Sequence, residues 1–169
     1  MDEKRRSLRL ARVWLITFVI GLILAGLTAI PLEAELEWAK QYVGPDSRIG
    51  RAWPAMAAWI ARVHSGVTEV RREQPFLFLG TDWLAFGHLA IAILFLGAIW
   101  DPARNLWLIR AGMLVCLLVL PWALIFGRLR EIPFFWQLID CAFGALGLVP
   151  LVLANHYARR VATSSGTDG

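Results

Sequence analysis

Four stretches of this chain are free of charge, or nearly so, for long enough to cross a bilayer, and this limits the possible fold more than any other feature. Val13 to Ile30 has no charged side chain over 18 residues. Trp83 to Trp100 contains only His88, Ala111 to Gly127 contains no ionisable group but Cys116, and Pro133 to Ala154 is broken only by Asp140 and Cys141. A hydrocarbon core of about 30 Å takes about 20 helical residues. Backbone polar groups have no water to bond there, so each run must satisfy its own as a helix. The expected fold is all-α, an integral-membrane four-helix bundle with spans at about 13–31, 80–100, 106–127 and 132–155.

Composition agrees. Charged residues make up 18% of the 169 residues and hydrophobic ones 58%, where a soluble domain carries about 25% charged. The first run follows Lys4, Arg5, Arg6, Arg9 and Arg12, as in a signal peptide. It is longer than the usual h-region and has no small-residue cleavage site, so an uncleaved anchor is expected. The formal charge of +4 is no nucleic-acid signature, because the basic residues flank the apolar runs. Those five, with Arg104, Arg110, Arg159 and Arg160, form one set of nine. The other eight Lys and Arg are mostly spread among carboxylates in the long first connection. The positive-inside rule then places both termini in the cytoplasm. Cys116 and Cys141 each fall within a span, without a C-x-x-C or a disulfide framework, and read as buried thiols.

The connections divide simply. Residues 1–12 are a basic cytoplasmic lead, 13–160 a single membrane domain and 161–169 a polar, disordered tail. Within 32–79, two short amphipathic helices are expected on the outer side. Pro31 opens the first, with Leu32, Leu36, Ala39 and Val43 at helical spacing, and Gly44-Pro45-Asp46 ends it. The second starts near Pro54, with Met56, Ile60, Val63, Val67 and Val70 on one side and Arg62, Glu69 and Arg72 on the other. Asp101 and Pro102 read as N-cap and first-turn proline of the third span. Gly127 reads as its C-terminal cap, and Pro133 as the opening of the fourth span.

Chemistry concentrates on two residues. A carboxyl in hydrocarbon costs roughly 2.5–3.5 kcal/mol on insertion scales, so it has a partner or a task. From the helical rise, Asp140 lies about 10 Å below the start of its span and His88 about 9 Å below the start of its own. Gln137 stands one turn above Asp140, and Thr81 two turns above His88. Pro121 removes a backbone donor and frees the Leu117 carbonyl. His88, Asp140, Gln137 and Thr81 are thus the candidate intramembrane polar pocket, with Asp82, Arg128 and Arg130 at its mouth. The plainer alternative is a buried Asp–His bond that fixes helix packing. No cofactor is expected: His64 and His156 fall at other depths, which leaves His88 without an opposing axial ligand for haem. No metal site or catalytic residue is expected either, since H-E-x-x-H, G-x-S-x-G and P-loop patterns are absent.

Small residues Ala142, Gly144, Ala145 and Gly147, with Gly21, Ala25 and Gly26, would allow helices to approach closely within the bundle or across a homodimer seam. The tryptophans, mostly near span ends, read as an interfacial belt.

The segments GTDWLAFGHLAIA (80–92), DPARNLW (101–107) and IPFFWQLIDCAFG (132–144) resemble a family of small bacterial inner-membrane proteins with four transmembrane helices. The resemblance covers about the last 90 residues. It implies a multi-pass protein of the bacterial inner (plasma) membrane and brings no catalytic assignment. The expected partners are the lipid bilayer and a membrane-protein partner or second copy, with no nucleic acid. The expected role is non-enzymatic, a structural or interaction subunit of an envelope complex. The alternatives are a small transporter or proton-coupled solute-binding protein using Asp140 and His88, and lipid or quinone binding.

Overall fold

The computed structural model describes residues 2–165, which form helices joined by short turns, with no strand among them. Four of the helices are long and apolar enough to cross a membrane: α1 (Asp2–Thr28), α5 (Leu79–Trp100), α6 (Leu106–Leu129) and α7 (Phe134–Ser165). Between α1 and α5 come α2 (Leu32–Val43), α3 (Arg48–Ala52) and α4 (Pro54–Glu73), then a 3-10 turn at Pro75–Phe78. The chain divides into two compact units, one of residues 23–89 and the other of the residues before and after it.

In the larger unit the buried positions follow helical spacing. Ala11, Leu15, Phe18 and Val19 are buried on α1, and Leu151, Ala154, Ala158 and Val161 on α7. Ala92, Phe95 and Ala98 of α5 and Ile109 and Cys116 of α6 add to this core. The Phe18 and Phe95 rings meet with centroids 4.8 Å apart. Gly112 leaves room for Phe95, whose ring tip would lie 2.7 Å from a β-carbon there. α6 and α7 pack most closely at Gly144, where a β-carbon would come 2.5 Å from the Cys116 carbonyl oxygen. Side chains as large as alanine would hold the two backbones apart at that point.

Arg12 ties α1 to the end of α5. Its Nε donates to the Ile99 carbonyl at 3.1 Å and its terminal nitrogen to the Trp100 carbonyl at 2.8 Å. These are carbonyls that a helix C-terminus leaves without an intrahelical donor, and a cation suits the negative end of the dipole.

The α5–α6 hairpin departs from the sequence expectation. Asp101 and Pro102 lie in a turn, and α6 begins only at Leu106, after Asn105. Asp101 Oδ1 accepts from the Arg104 backbone N–H, while Asn105 Nδ2 donates to the Gly97 and Asp101 carbonyls. Asn105 thereby takes up carbonyls at the end of α5, which an N-cap aspartate could not do because it only accepts.

The α6–α7 turn also differs. Gly127 does not cap α6: Glu131 holds the left-handed conformation, with φ of 56°. The Ile132 N–H bonds the Gly127 carbonyl and the Glu131 N–H bonds the Arg128 carbonyl. This is the paired 6→1 and 5→2 closure usually made with glycine at the left-handed position. α7 then runs through Pro150 to Ser165, so 161–165, expected within a disordered tail, are helical. The remainder of that expected tail, 166–169, lies outside the described residues.

In the 23–89 unit, α2 and α4 pack through Leu36, Met56, Ala57 and Ile60, all buried. Polar contacts flank this packing: His64 Nε2 lies 2.7 Å from a Glu37 carboxylate oxygen, and Arg71 Nε forms an ion pair with Glu33 at 3.1 Å. The two amphipathic helices start where the prolines place them, at Leu32 and Pro54. The five-residue α3 is additional. Ser47 caps it by accepting from the Gly50 N–H at 2.8 Å. Gly50 is needed there because the Gly44 carbonyl occupies the space of a β-carbon.

Candidate functional site

Asp140 lies six residues into α7 after Phe134, on the side that faces α6. Together with Arg130, at the C-cap of α6, it lines an open groove of about 460 Å³. The rest of the wall is apolar, mainly Leu118, Val119, Trp122, Phe126 and Ile132. Trp122 and Phe126 are one helical turn apart, with ring centroids at 4.4 Å, and Trp122 is two-thirds exposed. The volume falls within the range of small-ligand and side-chain pockets. Among the described residues of this unit no side chain donates a hydrogen bond to Asp140 or forms an ion pair with it. The groove is thus a lipophilic surface holding one acid, with one cation at its end.

The other expected members of the site are placed as follows. Gln137 is buried, and its Nε2 donates to the Ile132 carbonyl at 2.7 Å. It fastens the α6–α7 turn and contributes no wall to the groove. Arg128 is exposed in the last turn of α6, also away from the groove lining. Leu117 is half exposed and is not part of the lining. The contact that does reach the proline-containing turn is from Cys141, whose thiol donates to the Leu120 carbonyl at 3.8 Å.

His88, Thr81 and Asp82 belong to the 23–89 unit. The His88 Nδ1 lies 2.8 Å from the Leu84 carbonyl. A carbonyl can only accept, so Nδ1 is the donor in this contact. The root of His88 rests on α1, where a β-carbon at Gly26 would come within 2.9 Å of its own. Thr81 donates to the Phe78 carbonyl at 2.7 Å, closing the turn into α5. Asp82 is exposed in the first turn of α5, where its charge suits the helix dipole.

A second, polar cleft of about 550 Å³ lies between α2 and α4, lined by Lys40, His64, Ser65, Thr68, Glu69 and Arg72. Among the described residues no group of three His, Cys, Asp or Glu side chains converges to hold a metal ion.

The groove lining includes Asp140 and Arg130, two of the residues singled out in the sequence, together with the Trp122–Phe126 wall, which was not. The i, i+4 aromatic spacing one face away from Pro121 was the available signal. No protein-family model, curated protein or solved structure matches this chain.

Proposed function

We propose that this is a multi-pass protein of the bacterial inner membrane whose spanning helices form a four-helix bundle with both termini cytoplasmic, and that it works as a non-enzymatic interaction subunit of an envelope complex. The orientation rests on the nine basic residues gathered on one side of the spans. The interaction reading rests on one observation, the Asp140–Arg130 groove. A carboxyl on an open apolar wall carries an insertion cost of roughly 2.5–3.5 kcal/mol, which a donor brought by another chain offsets. The aromatic wall of Trp122 and Phe126 offers that chain a broad contact.

The test is a photo-crosslinking amino acid at position 122 in native membranes. A discrete protein adduct that disappears with Asp140→Leu is expected. Adducts with lipid alone would overturn the interaction reading.

A second reading, a small proton-coupled solute-binding protein, is favoured by two ionisable side chains, His88 and Asp140, within long apolar helices. Asp140→Asn separates the two. It keeps shape and hydrogen bonding, so partner capture should persist, whereas proton-coupled uptake into vesicles would stop.

A further inference from the structure

The α2–α4 pair is layered. Leu36 of α2 is buried against α4, and Glu33 and Glu37 are held at its flanks by Arg71 and His64. At 3.6 residues per turn, Trp38 and Tyr42 lie about 200° and 240° around α2 from Leu36, on the face turned away from α4. They are 68% and 65% exposed. On α4, Met56, Ala57 and Ile60 are buried, and the exposed Arg62 falls on the far side, outside the lining of the cleft. The outer face of α2 therefore presents Trp38 and Tyr42, with the exposed Glu35 at its edge beside Tyr42, and that of α4 presents Arg62.

Covalent geometry fixes where this pair sits. α2 starts at Leu32, just beyond Thr28, the end of one helix long and apolar enough to cross a membrane. α4 ends at Glu73, just before Pro75, where the next such helix begins. Both ends are tied to span ends on one side. Between Leu32 and Glu73 six Asp/Glu and six Lys/Arg cancel, so the segment has no net charge with which to select anionic lipid. Tryptophan and tyrosine, with an apolar ring body and a polar handle, favour the boundary between headgroups and acyl chains.

We infer that the Trp38–Tyr42 face of α2 seats in the headgroup–acyl boundary of the bilayer, with α4 as the water-facing layer, and that aromatic burial rather than charge holds it there. This inference rests on the reading that α1 and α5 cross the membrane. The pair is then a plate anchored in the leaflet, with the polar cleft between its helices held at the membrane surface.

The test uses the full chain with Cys116→Ala and Cys141→Ala, reconstituted in lipid nanodiscs. Trp38→Cys, Tyr42→Cys, Arg62→Cys and Leu94→Cys each carry an environment-sensitive fluorophore in turn. Shallow spin-labelled lipid should quench the labels at 38 and 42 about threefold more than the label at 62, with little change between neutral and anionic lipid or on raising salt. Leu94, exposed in the middle of α5, should be quenched by deep spin labels. If it is not, the spanning reading fails. If Leu94 is quenched but the labels at 38 and 42 answer only to aqueous iodide, or to neither quencher, the α2 face lies in water or against protein and this inference is overturned. Strong dependence on anionic lipid would overturn the charge-independent anchoring.

Discussion

Gly127 and Gln137 are packed so closely that a β-carbon on the glycine would lie 2.5 Å from Cγ of the glutamine. Gln137 cannot simply swing away, since it is buried and its amide is engaged with the Ile132 carbonyl. Gly127→Ala should therefore destabilise the protein by about 1–3 kcal/mol, through overpacking and loss of that bond. Reversible unfolding in detergent measures it. A neutral result would mean the turn adjusts without losing the Gln137 bond.

Glu131 holds a left-handed backbone with φ of 56°, a conformation that costs a side-chain-bearing residue energy and glycine little. Glu131→Gly is expected to stabilise the α6–α7 turn by about 0.5–1 kcal/mol, with Glu131→Asn giving part of that gain. The same unfolding measurement applies. A destabilised Glu131→Gly protein would show that the glutamate side chain contributes more than its backbone costs.

The Arg12 clasp makes a prediction about side-chain shape. Arg12→Ala should lower stability by about 1 kcal/mol, an exposed charge-assisted interaction with two carbonyls. Arg12→Lys keeps the charge but cannot span both carbonyls with a planar fork, so it should recover only part of the loss. Full recovery by lysine would reduce the role of Arg12 to charge alone.

Two glycines within apolar runs should behave in opposite ways. Gly144→Ala drives a methyl into the Cys116 carbonyl and should cost about 1–3 kcal/mol. Nothing lies within 4 Å of a β-carbon at Gly21, so Gly21→Ala should be neutral or stabilise by up to about 1 kcal/mol through helix propensity. Equal effects at both sites would contradict the close α6–α7 contact at Gly144.

For Asp140 the expectation is a gain in the isolated protein. Asp140→Leu removes a carboxyl from an apolar wall and should stabilise the purified chain by about 2–3 kcal/mol, while partner capture is lost. Destabilisation of the purified chain would show that the carboxyl already has its complement within one molecule.

The long helices were legible because backbone satisfaction in hydrocarbon leaves few options, and an uncharged run of about 20 residues advertises its own structure. Their ends were less so. The fourth span was expected at about 132–155; α7 as a helix runs further, with Ala158 and Val161 continuing its buried stripe. That stripe continues among arginines, which mask it in a hydropathy reading. The assignment of Gly127 as a cap followed from local turn chemistry. What the glycine provides is space for Gln137, a demand set by a neighbour ten positions away. Asp140 stood out because a carboxyl in an apolar run is conspicuous, and Arg130 shares its groove because a short turn brings the two helix ends together. Gln137 had suitable spacing, but its side chain turns back to the Ile132 carbonyl, which spacing does not encode. In the small-residue stripe at 142–147, Gly144 and Gly147 make close contacts within the chain, while Ala142 and Ala145 are exposed. Arg12 was legible as a topogenic charge but not as a clasp, since that depends on α1 meeting the end of α5.

α7 is 32 residues long, which at the helical rise is about 48 Å, against a hydrocarbon core of about 30 Å. Asp140 and Arg160 lie on this one helix, about 30 Å apart along its axis. The groove end and the basic end therefore belong to one continuous helix, and Pro150, which lies between them and withholds a backbone donor, is the point at which that helix can bend. How far a change at Asp140 is felt at Arg159 and Arg160 is thus set by the stiffness of a single turn.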